Sequence, residues 1–97
     1  MKRDEAMRRL EEVLPGARQR FGVRALSVFG SVARDEAKDA SDVDILVDFD
    51  GPATLLGFMG LKLYLEERLG AHVDLVTRPA LKPIIKQRIE AEAIGVA

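Results

Sequence analysis

The apolar positions of the chain fall into a few periodic segments. Over Met1–Leu14, Met7, Leu10, Val13 and Leu14 recur at helical spacing and predict an amphipathic helix. Pro15 stands where a new helical turn can begin, and Gly22 where it would end. Val23–Phe29 is apolar and bounded by Gly22 and Gly30, the pattern of a strand. Gly30–Ser31 reads as a turn, Ser31–Ala37 as a short helix and Asp39–Ser41 as a loop. Val43–Phe49 alternates with period 2, which predicts a second strand. Beyond the Asp50–Ala53 turn, Thr54 caps a long helix that ends at Gly70. In it Leu55, Phe58, Leu61, Leu65 and Leu69 form one stripe, which Leu56, Met59 and Leu63 widen. His72–Thr77 is a third strand, broken by Arg78–Pro79. Leu81–Ala93 is a last helix with Leu81, Ile84, Ile85 and Ile89 on one face. Helices and strands in this order predict one small α/β domain over residues 1–97, with helices packed on a sheet.

Composition narrows the chemistry. The chain has 97 residues, no cysteine and one histidine, so disulfides, thiolate zinc sites and a cysteine nucleophile are excluded. Fifteen basic residues against sixteen acidic ones leave a net charge of −1, without the basic surplus expected of a protein that coats nucleic acid. Leu55–Leu61, the longest apolar run, is far short of the roughly 20 residues of a membrane span. No signal-peptide pattern opens the chain, so a soluble, cytoplasmic protein is expected.

The near-zero total hides an uneven distribution. Residues 35–50 hold seven acids against Lys38 alone. Along the second strand, Val43, Ile45, Val47 and Phe49 share a core face, while Asp42, Asp44, Leu46 and Asp48 share an open one. Carboxylates at Asp42 and Asp44 repel unless a cation sits between them, and a hard divalent cation such as Mg²⁺ prefers such oxygens. In the third strand His72, Asp74 and Val76 share a face, so Asp74 can join the pair if the two strands are sheet neighbours. Three converging carboxylates suit a two-metal phosphoryl-transfer site; solvated aspartates on an exposed sheet face are the plainer alternative. Gly30–Ser31, after a strand and opening a helix, can present backbone N–H groups and a hydroxyl to an anion, with Arg34 one turn on. An ordinary capped helix is the alternative there. Asp48 lies about 13 Å along the strand from Asp44, too far to share the site.

Taken together, Gly30-Ser31-Val32-Ala33-Arg34, Ser41-Asp42-Val43-Asp44-Ile45-Leu46-Val47 and Val73-Asp74-Leu75-Val76 resemble the minimal nucleotidyltransferases of the DNA polymerase β superfamily. The resemblance covers nearly the whole chain. It implies a polymerase β-like palm, a small mixed β-sheet with helices packed on one face. It also implies two Mg²⁺ ions held by Asp42, Asp44 and Asp74, which are the catalytic residues, with ATP as substrate and its phosphates cradled by Gly30, Ser31 and Arg34. The implied partner is a HEPN-domain ribonuclease toxin that receives AMP on a tyrosine, with this chain as its antitoxin. Neither membrane nor direct nucleic-acid binding is expected. The family often has glycine after its Ala-Arg pair, where this chain has Asp35, an acid beside the phosphate site. That departure keeps open a non-catalytic antitoxin that neutralises its toxin by binding alone.

Overall fold

The computed structural model describes residues 1–38 and 40–96. Asp39, and with it part of the expected loop, lies outside the described residues. The chain runs α1 (Arg3–Phe21), β1 (Val23–Phe29), α2 (Gly30–Ala33), β2 (Val43–Phe49), α3 (Leu55–Leu69), β3 (Val73–Thr77), a 3₁₀ turn (Arg78–Ala80), α4 (Pro83–Glu92) and β4 (Ile94–Gly95). The four strands form one mixed sheet in the order β3-β2-β1-β4. β1 pairs antiparallel with β2 and β4, while β2 and β3 are parallel neighbours joined by α3.

Burial follows the expected period on the core face. Val43, Ile45 and Val47 of β2 join Leu26, Val28, Val73 and Leu75 beneath Leu10 and Leu14 of α1 and Leu61, Leu65 and Leu69 of α3. Leu65 is fully buried here. Leu65→Ala is expected to destabilise the fold by about 3 kcal/mol, read as a lower urea midpoint at unchanged slope.

Four expectations need correction. The first helix does not divide at Pro15 but runs through it, because Leu10 and Leu14 before the proline and Ala17 after it bury on the same side. Helix α2 stops at Ala33 rather than Ala37. The wide apolar stripe of α3 is only part core: Leu61, Leu65 and Leu69 are buried, whereas Leu55, Leu56 and Leu63 are 76%, 85% and 61% exposed. The α4 stripe splits likewise, with Ile89 buried and Ile84 and Ile85 facing water. Ile89 packs on Phe29 and Leu46 against the face opposite the main core. The aspartate face of β2 is therefore open only at its Asp42–Asp44 end.

Candidate functional site

Parallel pairing of β2 with β3 sets Asp44 directly beside Asp74, with Val43 beside Val73 and Leu46 beside Val76. Because side chains alternate, Asp44 and Asp74 project from the same face. Burial, then the charge of the neighbouring Asp74, push the Asp44 carboxyl up to about 6; Asp42 and Glu92 act in the same direction. No lysine or arginine forms an ion pair with Asp42, Asp44 or Asp74 among the described residues. Nor, among them, do three acidic or histidine side chains already converge on a metal-holding point. Asp44 and Asp74 are brought together, while Asp42 stays exposed at the start of β2. An oxygen-donor pair without a countercharge, Asp44 partly buried and Asp74 exposed, nevertheless suits a hard divalent cation, which would draw Asp42 in as a third donor.

The turn after β1 approaches this pair closely. Gly30 takes a left-handed conformation (φ 71°). A Cβ there would lie 2.0 Å from Asp44 Oδ2, so only glycine lets the backbone and the carboxylate share this space. The N-cap of α2 is Phe29, without a side-chain cap, so Ser31 is not the capping residue of an ordinary helix start. α2 ends in a Schellman arrangement: Asp35 N–H donates to Val32 O at 3.0 Å and Glu36 N–H to Ser31 O at 2.8 Å, with Asp35 at φ 58°. A left-handed position is where glycine is at home, and aspartate tolerates it better than most residues. The Asp35 carboxylate accepts from Arg3 N–H, at the start of α1, at 3.1 Å.

One residue at this turn escaped the sequence reading. Glu92, at the end of α4, accepts from Gly30 N–H through Oε1 at 2.9 Å and from Arg34 Nη1 through Oε2 at 2.8 Å. The Gly30 bond, foremost, holds its carboxyl below the usual glutamate range, so it is ionised at neutral pH. A signal was present: Glu92 follows Ile89 by three residues, on the same helix face. Arg34, expected at phosphate, also has Nε 3.6 Å from Glu36.

The remaining candidates are structural. His72 is exposed near Glu66. Glu66 accepts from Val73 N–H at 3.0 Å and fixes the start of β3. Arg78 binds Asp48 at 2.9 Å and also Glu90, at the far end of β2. Tyr64 packs against Phe21 with ring centres 5.4 Å apart. A surface cleft lined by Arg24, Asp48, Phe49 and Arg78 also lies at that far end, so the carboxylate pair does not share it.

Comparison with known proteins bears on this geometry. The family model of the nucleotidyltransferase domain matches residues 10–96. Protein adenylyltransferase MntA of Thermococcus cleftensis is 52% identical over 79 residues, 81% of this chain and 80% of that protein. A solved chain assigned as a minimal nucleotidyltransferase superposes with a TM-score of 0.81 at 40% identity, covering 97% of this chain and 95% of that one. A chain from the complex of tri-AMPylated Shewanella oneidensis HEPN toxin with MNT antitoxin superposes with a TM-score of 0.70 at 17% identity. That match covers 98% of this chain and 71% of that one and is a likeness of fold.

Proposed function

Because this chain belongs to the nucleotidyltransferase domain family, among its minimal members, we propose that it transfers AMP from ATP to a hydroxyl of a protein partner. The observation that carries the proposal is the Asp44–Asp74 pair, set side by side next to the left-handed Gly30 turn. Gly30 and Ser31 hold the β- and γ-phosphates, and Arg34 contacts phosphate from where Glu92 holds it. Of the five N–H donors of a guanidinium, one is spent on Glu92 and one faces Glu36. Asp42, Asp44 and Asp74 would hold two Mg²⁺ ions, which would supply charge neutralisation and polarise the α-phosphate. Asp74 takes the proton of the attacking hydroxyl. The hydroxyl oxygen bonds to the α-phosphorus, the bond from the α-phosphorus to the oxygen bridging to the β-phosphate breaks, and pyrophosphate leaves.

The acceptor in this proposal is a tyrosine of a HEPN-domain ribonuclease toxin, with the chain as its antitoxin, working in the cytoplasm as a single domain. Three observations support it. The relative from Thermococcus is named a protein adenylyltransferase, and the HEPN complex holds an AMPylated toxin. Leu55, Leu56, Met59 and Leu63 leave an apolar strip on α3 that a helical partner could cover. Separately from these three, among the described residues no helix is long and apolar enough to cross a membrane. Asp35 was the main support for a binding-only antitoxin, and its carboxylate accepts from Arg3 N–H of α1.

Intact-mass measurement tests the proposal. After incubation with ATP, Mg²⁺ and the product of the adjacent gene, expected to be a HEPN-domain protein, the partner is expected to gain AMP units with wild type and none with Asp42→Asn. Full neutralisation of the toxin by Asp42→Asn, without any mass gain by wild type, would leave binding alone as the function.

A further inference from the structure

Helix α2 is a single turn and marginal by itself. It nevertheless carries the left-handed Gly30 against Asp44. Besides its local Schellman bonds, it is held by bonds from far along the chain. Glu92 spans both of its ends, taking the Gly30 N–H on one oxygen and the Arg34 guanidinium on the other, across 62 and 58 residues of sequence. Glu92 is itself immobilised from two sides. Three residues before it, Ile89 is buried on Phe29 and Leu46. Two residues after it, Ile94 and Gly95 pair with Val28 and Ser27 of β1, the strand that leads into the turn. The carboxylate is ionised at neutral pH, so both bonds are charge-assisted and hold the turn more firmly than neutral ones would.

We propose that Glu92 is a positioning residue for nucleotidyl transfer: its carboxylate clamps Gly30 and Arg34 so that the turn meets the triphosphate in one fixed geometry. The proposal rests on the nucleotidyltransferase reading of the site. Glu92 does not touch substrate in it; it acts through the backbone of Gly30 and the guanidinium of Arg34. Positioning of this kind matters in phosphoryl transfer, where catalysis is mostly placement and charge.

Two readouts on the full-length chain test it: amide exchange by NMR, and calorimetric titration with ATP in the presence of Mg²⁺. In Glu92→Ala, exchange at Gly30 is expected to rise about tenfold or more, with Ile45 and Val47 in the sheet unchanged. The Kd for ATP is expected to weaken about tenfold. Glu92→Gln keeps a carbonyl acceptor for Gly30 N–H and is expected to bind ATP within about threefold of wild type. ATP binding by Glu92→Ala equal to or tighter than wild type overturns the proposal. So does a Glu92→Gln variant no better than Glu92→Ala. A proportional rise of exchange at Ile45 and Val47 overturns it too, since Glu92 would then be a general brace of the fold. A wild-type chain that fails to bind ATP sinks the nucleotide reading instead, and the exchange comparison still decides whether Glu92 holds the turn.

Discussion

Replacing Asp44 with asparagine is expected to abolish transfer, by on the order of 10³-fold or more, while raising the melting temperature of the metal-free chain above pH 6. Both effects come from the same carboxyl. Burial and Asp74 raise its pKa from 3.8 to about 6 in the fold. The folded state therefore binds more protons than the unfolded state between those values, and stability falls as pH rises through that window. Its contribution is fully present below about pH 4 and lost above about pH 6. A shift of about two units corresponds to at most about 3 kcal/mol; Asp44 is only partly buried, and screening by water reduces this to about 1 kcal/mol. Thermal scans from pH 4 to 8 should show wild type losing about 5 °C that the asparagine variant keeps. Added Mg²⁺ should raise the wild-type melting temperature at pH 7.5 and leave the variant unmoved. A variant that melts like wild type at every pH would show that Asp44 carries no such penalty.

Gly30→Ala is expected to be the most damaging small substitution near the site. Its methyl would meet Asp44 Oδ2 at 2.0 Å and Cγ at 3.0 Å, in a left-handed backbone that already disfavours any side chain. Asp44 must leave its position or the turn must shift, and either changes the spacing between the turn and the carboxylate pair. Transfer should fall by about 100-fold or more, and stability by about 2–3 kcal/mol. Gly22→Ala is the matched control. Its φ of 68° is nearly the same, but nothing lies within 4 Å of the added carbon. It should cost only the backbone strain, about 1 kcal/mol, and leave kcat intact. Equal kinetic damage in both variants would mean that contact with Asp44 is not what Gly30 provides.

The strands and the pairing of Asp44 with Asp74 were legible in the sequence because period 2 is a strong signal. Two strands joined by a helix also tend to lie parallel and adjacent. Leu46 was the clue that went unused: a leucine on the aspartate face needs a cover, and Ile89 supplies it. β4 is only two residues long and has no period to detect. Periodicity also marked Leu55, Leu56 and Ile84 as apolar without saying whether anything packs on them. The Glu92 clamp joins positions about 60 residues apart, which no local pattern encodes. The role of Asp35 turned on a backbone angle, which residue identity constrains only loosely.

Strand β4 also has a consequence in time. The sheet is completed by Ile94 and Gly95 pairing back onto Val28 and Ser27, and Gly30 finds its carboxylate acceptor in Glu92. During synthesis, β1, β2 and β3 can emerge and begin to assemble, but the free edge of β1 and the Gly30 N–H lack these partners until residues 92–95 clear the ribosome. A nascent chain would then gain three strands of its sheet before Gly30 is held, and a chain interrupted before Glu92 would keep those strands but lack the carboxylate that Gly30 N–H donates to.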